Sequence, residues 1–213
     1  MQLVQTMNPF IQGWSTTHLQ SQVSPTCGSQ PSVYGSIPSH IPRPIMHLGQ
    51  FCVSYTFVCF GDTILNSVFI GPDARTHFHI TSDFASDDGE SGRTVVEGAD
   101  GSHVALITWA DQPTIKIEDL GWTMHTSQWL YLASNRAFRT MISGGETFTW
   151  RPSGDFLELF SLKNLNPNSP ALARISIEPA GVILQLTFEA VQKRLLKVLV
   201  ISAVLLMSGR KID

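Results

Sequence analysis

The chain has 213 residues, of which 15% are charged, and its formal net charge is -3. That length holds one domain of ordinary size with residues to spare, and the lack of a broad basic surface speaks against general nucleic-acid binding. Three cysteines, Cys27, Cys52 and Cys59, form neither a CxxC pair nor an even disulfide set, and no basic, apolar leader opens the chain, which together favour an intracellular, reducing location.

Residues 1–50 hold six of the twelve prolines, seven Ser, seven Gln and a single charge, Arg43. They follow neither a helical nor a strand period. So little apolar surface cannot offset the entropy of ordering, which predicts a disordered tail. The apolar block "FCVSYTFVCF" at 51–60 joins this tail to the rest. Taken as a connector over 51–61, it is either an extra strand or sequence foreign to the domain.

From residue 62 short apolar or alternating runs lie between turn signals. "TILNSVFI" stops at Gly71-Pro72-Asp73, and "THFHIT" leads into the acidic loop "SDFASDDGESG". "RTVVEG", "HVALITWA", "TIKIEDL" and "QWLYLA" follow in turn. "AFRTMI" and "ETFTWR" flank Ser143-Gly144-Gly145, the strongest hairpin signal, because paired glycines accept the positive φ of tight turns. "FLELFSL" precedes the loop "NLNPNSP", and "ALARISI" and "VILQLTF" flank a second hairpin at Glu178–Gly181. These are about ten strands, spaced as in an antiparallel sandwich or barrel.

The end of the chain breaks this pattern. Glu189 to Met207 contains no Gly or Pro, and Gly209 stands at a C-cap position with Arg210 and Lys211 behind it. One helix over about 189–208 is predicted. Its apolar run Leu195–Met207 spans 13 residues, roughly 20 Å of helix against the ~30 Å hydrocarbon core of a bilayer. Apolar residues occupy every face, so the helix must be buried in protein or lipid. Too short for lipid, it belongs inside a closed sheet, with a membrane tail anchor as the rival reading.

A sheet of short antiparallel strands around an apolar terminal helix resembles the tubby-like fold, shared by tubby C-terminal domains, phospholipid scramblases and plant LURP-one-related proteins. More specifically, "TILNSVFIGPD", "HFHITSD", "RTVVE", "HVALITWAD", "RAFRTMISGGETFTWRPSGDFLELF", "ALARISI" and "KRLLKVLVISAVLLMSGRK" together resemble a fungal family of tubby-like domains of unknown function. The resemblance covers about residues 62–211 and rests on the order of the motifs. It implies a mainly β domain at 62–213: an antiparallel barrel of about 10–12 strands closed around the terminal helix. That family has no established catalytic residues to carry over.

His77 and His79, two apart on a strand, would share a face and could start a metal site only with a third ligand such as Asp73 or Asp83. No metal site is predicted. "DFASDDGE" lacks the spacing of a calcium loop, and phosphate-binding, dinucleotide, zinc-protease and nucleophile-elbow motifs are missing from the sequence; no cofactor and no catalytic residue are assigned. Trp109, Trp122, Trp129 and Trp150 fall in or beside apolar runs and are expected in the core. Arg136, Arg139 and Arg151 flank one predicted hairpin. Facing outward, they would make a small basic patch for an anionic headgroup, as tubby domains use for phosphoinositides. Against this, Arg43 is the only charge in 1–50, so the remainder carries 13 basic and 17 acidic residues. The expected function is therefore a non-enzymatic intracellular binding module for a protein or a phospholipid headgroup, with peripheral membrane contact open to it. The alternative is a membrane-associated, scramblase-like protein whose terminal helix touches lipid. An enzyme with a site invisible in sequence is the third reading.

Overall fold

The computed structural model describes residues 51–84, 91–164, 169–179 and 181–213. The predicted tail at 1–50 lies outside them, as do 85–90 of the acidic loop, 165–168 of the Asn/Pro loop and Ala180.

Among the described residues thirteen antiparallel strands form one sheet. They are β1 (Phe51–Cys59), β2 (Ser67–Ile70), β3 (Thr76–Phe84), β4 (Gly92–Gly98), β5 (His103–Trp109), β6 (Thr114–Ile117), β7 (Thr123–His125), β8 (Tyr131–Leu132), β9 (Arg139–Ser143), β10 (Glu146–Ser153), β11 (Phe156–Ser161), β12 (Ala173–Glu178) and β13 (Gly181–Thr187). The spatial order is β7-β6-β5-β4-β3-β2-β1-β13-β12-β11-β10-β9-β8. It is a meander in two arms, joined where β13 returns to pair with β1. Alternation decides which face each residue takes: Phe78 and Ile80 of β3, or Phe148 and Trp150 of β10, turn inward and are buried. Gly144 and Gly145 between β9 and β10 both have positive φ, 57° and 73°, the backbone of a two-residue hairpin.

The block at 51–60 is not peripheral to the domain. As β1 it lies between β2 and β13 and stitches the two arms together. Its Tyr55 and Phe57 pack on Phe69, with ring centroids 5.0 and 4.5 Å apart. "QWLYLA", predicted as a strand, divides into a one-turn helix α1 (Thr126–Trp129) and the two-residue β8. Trp129 and Leu130 are both buried. Consecutive inward residues cannot sit on one face of a strand, whereas a helical turn can bury both.

The sheet is not closed, which corrects the expectation of a closed barrel of 10–12 strands. Its ladder ends at β7 and β8, although only the five residues 126–130 separate them. Other bonds occupy the seam. Thr126 Oγ1 donates to the Ile212 carbonyl at 2.6 Å and to that of Pro113 at 3.2 Å. Arg139 holds the Asp213 carboxylate there.

The predicted single helix is two: α2 (Phe188–Gln192) and α3 (Leu196–Met207). Thr187 caps the first by accepting from the Ala190 amide. It ends in a Schellman motif: the Arg194 amide donates to Val191 and the Leu195 amide to Ala190. Arg194 takes the left-handed conformation there, with φ 55°. The motif usually carries glycine, so its sequence signal was masked. α3 then runs through the core, and every residue from Leu199 to Leu206 is buried. Inward residues of both arms join it in one cluster. Its two polar side chains are accounted for. Ser202 Oγ accepts from Trp150 Nε1 at 3.2 Å and donates to the Leu199 carbonyl. Lys197, at the mouth, pairs with Asp119 at 3.2 Å.

Candidate functional site

The three arginines do not form one patch. Arg139 pairs in register with Trp150, which points inward onto α3. Arg139 therefore faces inward as well and is only 3% exposed. Its Nη1 donates to the Leu130 carbonyl and to Asp213 Oδ1, both at 3.0 Å, and Nη2 donates to Asp213 Oδ2 at 2.6 Å. It braces the seam. Parity could have revealed this: Arg139 shares its face with the apolar Met141, two residues on. Arg136 is exposed, in the turn before β9, with φ 56°.

Arg151 follows Trp150 and so faces outward. Its guanidinium lies over the rings of Phe138 and Phe160, at 5.7 and 5.4 Å from their centroids. Its Nε is buried and has no hydrogen-bond partner among the described residues. The same holds for Thr149 Oγ1, on the neighbouring outward residue of that strand. Across the outer face Arg151 is opposite Glu158, Glu158 opposite Arg174, and Arg174 opposite Gln185. Glu158 is already engaged: Arg174 donates to its Oε1 from Nε at 2.9 Å and from Nη2 at 2.6 Å. Arg174 in turn stacks on Phe51 and Phe156. Near the edge of the same face, Tyr131 and Ile142 are 55% and 66% exposed. Tyr131 pairs with Thr140, and Ile142 stands two residues along from it.

A second group marks the end of the sheet where α3 begins. Trp122, expected in the core, is 60% exposed. It follows Gly121, whose positive φ closes the short turn at 118–120, and this places it on the rim rather than within a strand. Phe188 and Val191 of α2 and Leu162 are exposed as well. Glu146 holds this end together by accepting from Lys193 at 2.7 Å and from Lys163 at 3.0 Å. Those bonds, Lys193's first, keep its carboxyl below the ordinary glutamate range.

The two histidines part company. A bulge at Phe69/Ile70 shifts the register of β3. His77 lies edge-on to the buried Tyr55 and 3.6 Å from Asp73, while His79 faces solvent. No cluster of three metal-ligating side chains occurs among the described residues. Burial raises the pKa of the Cys59 thiol, which disfavours the reactive thiolate form. Among the described residues no helix is long and apolar enough to cross a membrane.

A mainly β domain, one long antiparallel meander with an apolar helix in its core, thus presents an arginine and aromatic cluster on its outer face. The chain belongs to the family of unknown function DUF6593, whose model matches residues 62–211. Strand β1, which joins the two arms, precedes the matched stretch. No curated protein and no solved structure matches this chain.

Proposed function

We propose that the chain is a non-enzymatic binding module of tubby-like type, with the outer face of β8 to β11 as its contact surface. The observation that carries this is the company Arg151 keeps: a cation held by two rings, without an acidic partner among the described residues, on the face that exposes Tyr131 and Ile142. Aromatic residues and arginine are the types that dominate binding energy at protein interfaces. The meander returning β13 to β1, and the apolar helix inside it, support the tubby-like resemblance. The test immobilises the full chain and offers it a displayed random peptide library in one arm. The other arm uses phosphatidylcholine vesicles with and without phosphoinositide. Binding in either arm that disappears in the double variant Tyr131→Ser/Ile142→Ser supports the module. Binding in neither arm, or binding indifferent to the variant, sinks it.

A second reading rests on Trp122 and Phe188, exposed at the α3 entry end, where Lys163 and Lys193 pair with Glu146 and Lys197 with Asp119. Exposed aromatic side chains on an end that also carries lysines suit a membrane–water boundary. This is the peripheral-membrane alternative, with the rim rather than the buried α3 meeting lipid. Vesicle co-sedimentation lost in Trp122→Ser/Phe188→Ser but kept in the Tyr131/Ile142 variant would favour it.

A further inference from the structure

We infer that Arg151 is the anchor for a side-chain carboxylate of an acidic polypeptide segment lying on the outer face of β8 to β11. The inference rests on the binding-module reading and names its partner chemistry. Three features argue for it. The guanidinium is held in place before any ligand arrives, because the Phe138 and Phe160 rings flank it at 5.7 and 5.4 Å. A planar fork fixed in this way loses little rotamer freedom when a carboxylate docks on it. The nearest acid in the ladder, Glu158, forms its ion pair with Arg174, taking both bonds on Oε1, and among the described residues neither a hydrogen bond nor an ion pair joins an acid to Arg151. Arg151 Nε is a buried donor without a hydrogen-bond partner, and buried polar atoms are rarely left so.

The same features disfavour a phosphoinositide at this place. One arginine fork matches one carboxylate, whereas a headgroup with several negative charges needs several cations around it. Here the third arginine of the hairpin, Arg139, is turned to the other face and committed to Asp213. Tyr131 and Ile142, exposed on the same face, supply apolar contact for the residues flanking the acid. The partner is thus a segment with Asp or Glu next to aliphatic or aromatic residues.

The experiment selects a displayed random peptide library on the immobilised full chain and measures synthetic versions of the enriched peptides by titration. Each peptide is also made with its acid changed to the amide. The expected result is enrichment of Asp or Glu beside apolar residues. Affinity should fall at least about tenfold for Arg151→Met or for the amide peptide, since stripping one partner from a hydrogen-bonded charge pair is costly. Arg151→Lys, which keeps the charge and loses the fork, should recover only part. Thermal melts of each variant check that the fold is intact, and Phe160→Leu, which loosens the stack without removing charge, gives a second readout by weakening binding less. Peptides enriched without acids, or bound equally by Arg151→Met, would overturn the inference while leaving the module reading in place. Phosphoinositide vesicles bound in an Arg151-dependent way would replace the carboxylate by a headgroup and overturn it too. No binding in either arm would remove the module reading itself.

Discussion

Replacing Asp213 by Asn tests whether the seam between β7 and β8 is held by the ion pair that lies across it. Arg139 is 3% exposed and meets Asp213 through two bonds, of 3.0 and 2.6 Å. Removing one partner of a fully buried pair costs about 3–5 kcal/mol, because the other charge stays buried and unmatched. Asp213 is 43% exposed, so water already reaches it, and the Leu130 carbonyl still accepts from Arg139. The loss expected for Asp213→Asn is therefore smaller, about 2–3 kcal/mol. For a domain of this size that corresponds to a fall in Tm of roughly 4–12 °C. Urea unfolding measures the first number and calorimetry the second. Arg139→Met/Asp213→Asn should be less destabilised than the sum of the single variants, since no charge is then left unmatched. Hydrogen exchange should speed up first in β7, β8 and α1, whose contacts span the seam. If Asp213→Asn changes stability by less than about 0.5 kcal/mol, the typical scatter of surface substitutions, the pair is no latch.

Three further outcomes are expected. Arg194→Gly should stabilise the protein by about 0.5–1 kcal/mol in urea, because the left-handed conformation costs an L-residue roughly 1–2 kcal/mol and glycine's extra unfolded freedom returns part of that; a lower midpoint would show that the arginine side chain contributes elsewhere. Ser202→Ala should destabilise by about 1 kcal/mol despite alanine's better helix propensity, since it leaves the buried Trp150 Nε1–H without its acceptor; an unchanged midpoint would count against that bond. The third concerns pH. The carboxyl of Glu146 titrates below its ordinary range and Lys193 above its own, each because of the other first of all. A depressed carboxyl stabilises above its unfolded pKa and loses that contribution as pH falls through its folded pKa; the raised lysine is lost only at the alkaline end. The stability gap between wild type and Glu146→Gln should thus be constant near neutrality and shrink below about pH 4. A gap that widens on acidification would contradict the pairing.

The strands were legible because one face of the sheet is buried, which writes a period of two into runs such as "TIKI" and "FLELF". The β9–β10 hairpin was legible in two glycines. The burial of α3 followed from apolar residues on all its faces. What escaped the sequence depended on contacts between distant residues or on unusual backbone. The open seam is decided by Thr126 and Ile212, 86 residues apart. The break before α3 uses an arginine where glycine is usual. β7 has three residues, too few for any period to show. The candidate site was half legible. The hairpin that carries Arg136, Arg139 and Arg151 was found, and the parity that separates Arg139 from Arg151 was present in Met141 and Trp150. The stacking of Arg151 between Phe138 and Phe160 needed the register of three strands, which sequence alone does not supply.

The length of α3 suits a core helix and not a membrane span. Its 12 residues span about 18 Å. A helix of that length cannot cross the ~30 Å core of a bilayer. Lys197 emerges at one mouth to meet Asp119, and Arg210 lies at the other over the ring of Phe84. A lysine one residue into the helix and an arginine three residues beyond it flank its continuously buried stretch, Leu199 to Leu206. The run that looks like a truncated membrane anchor is a helix buried without a break from Leu199 to Leu206.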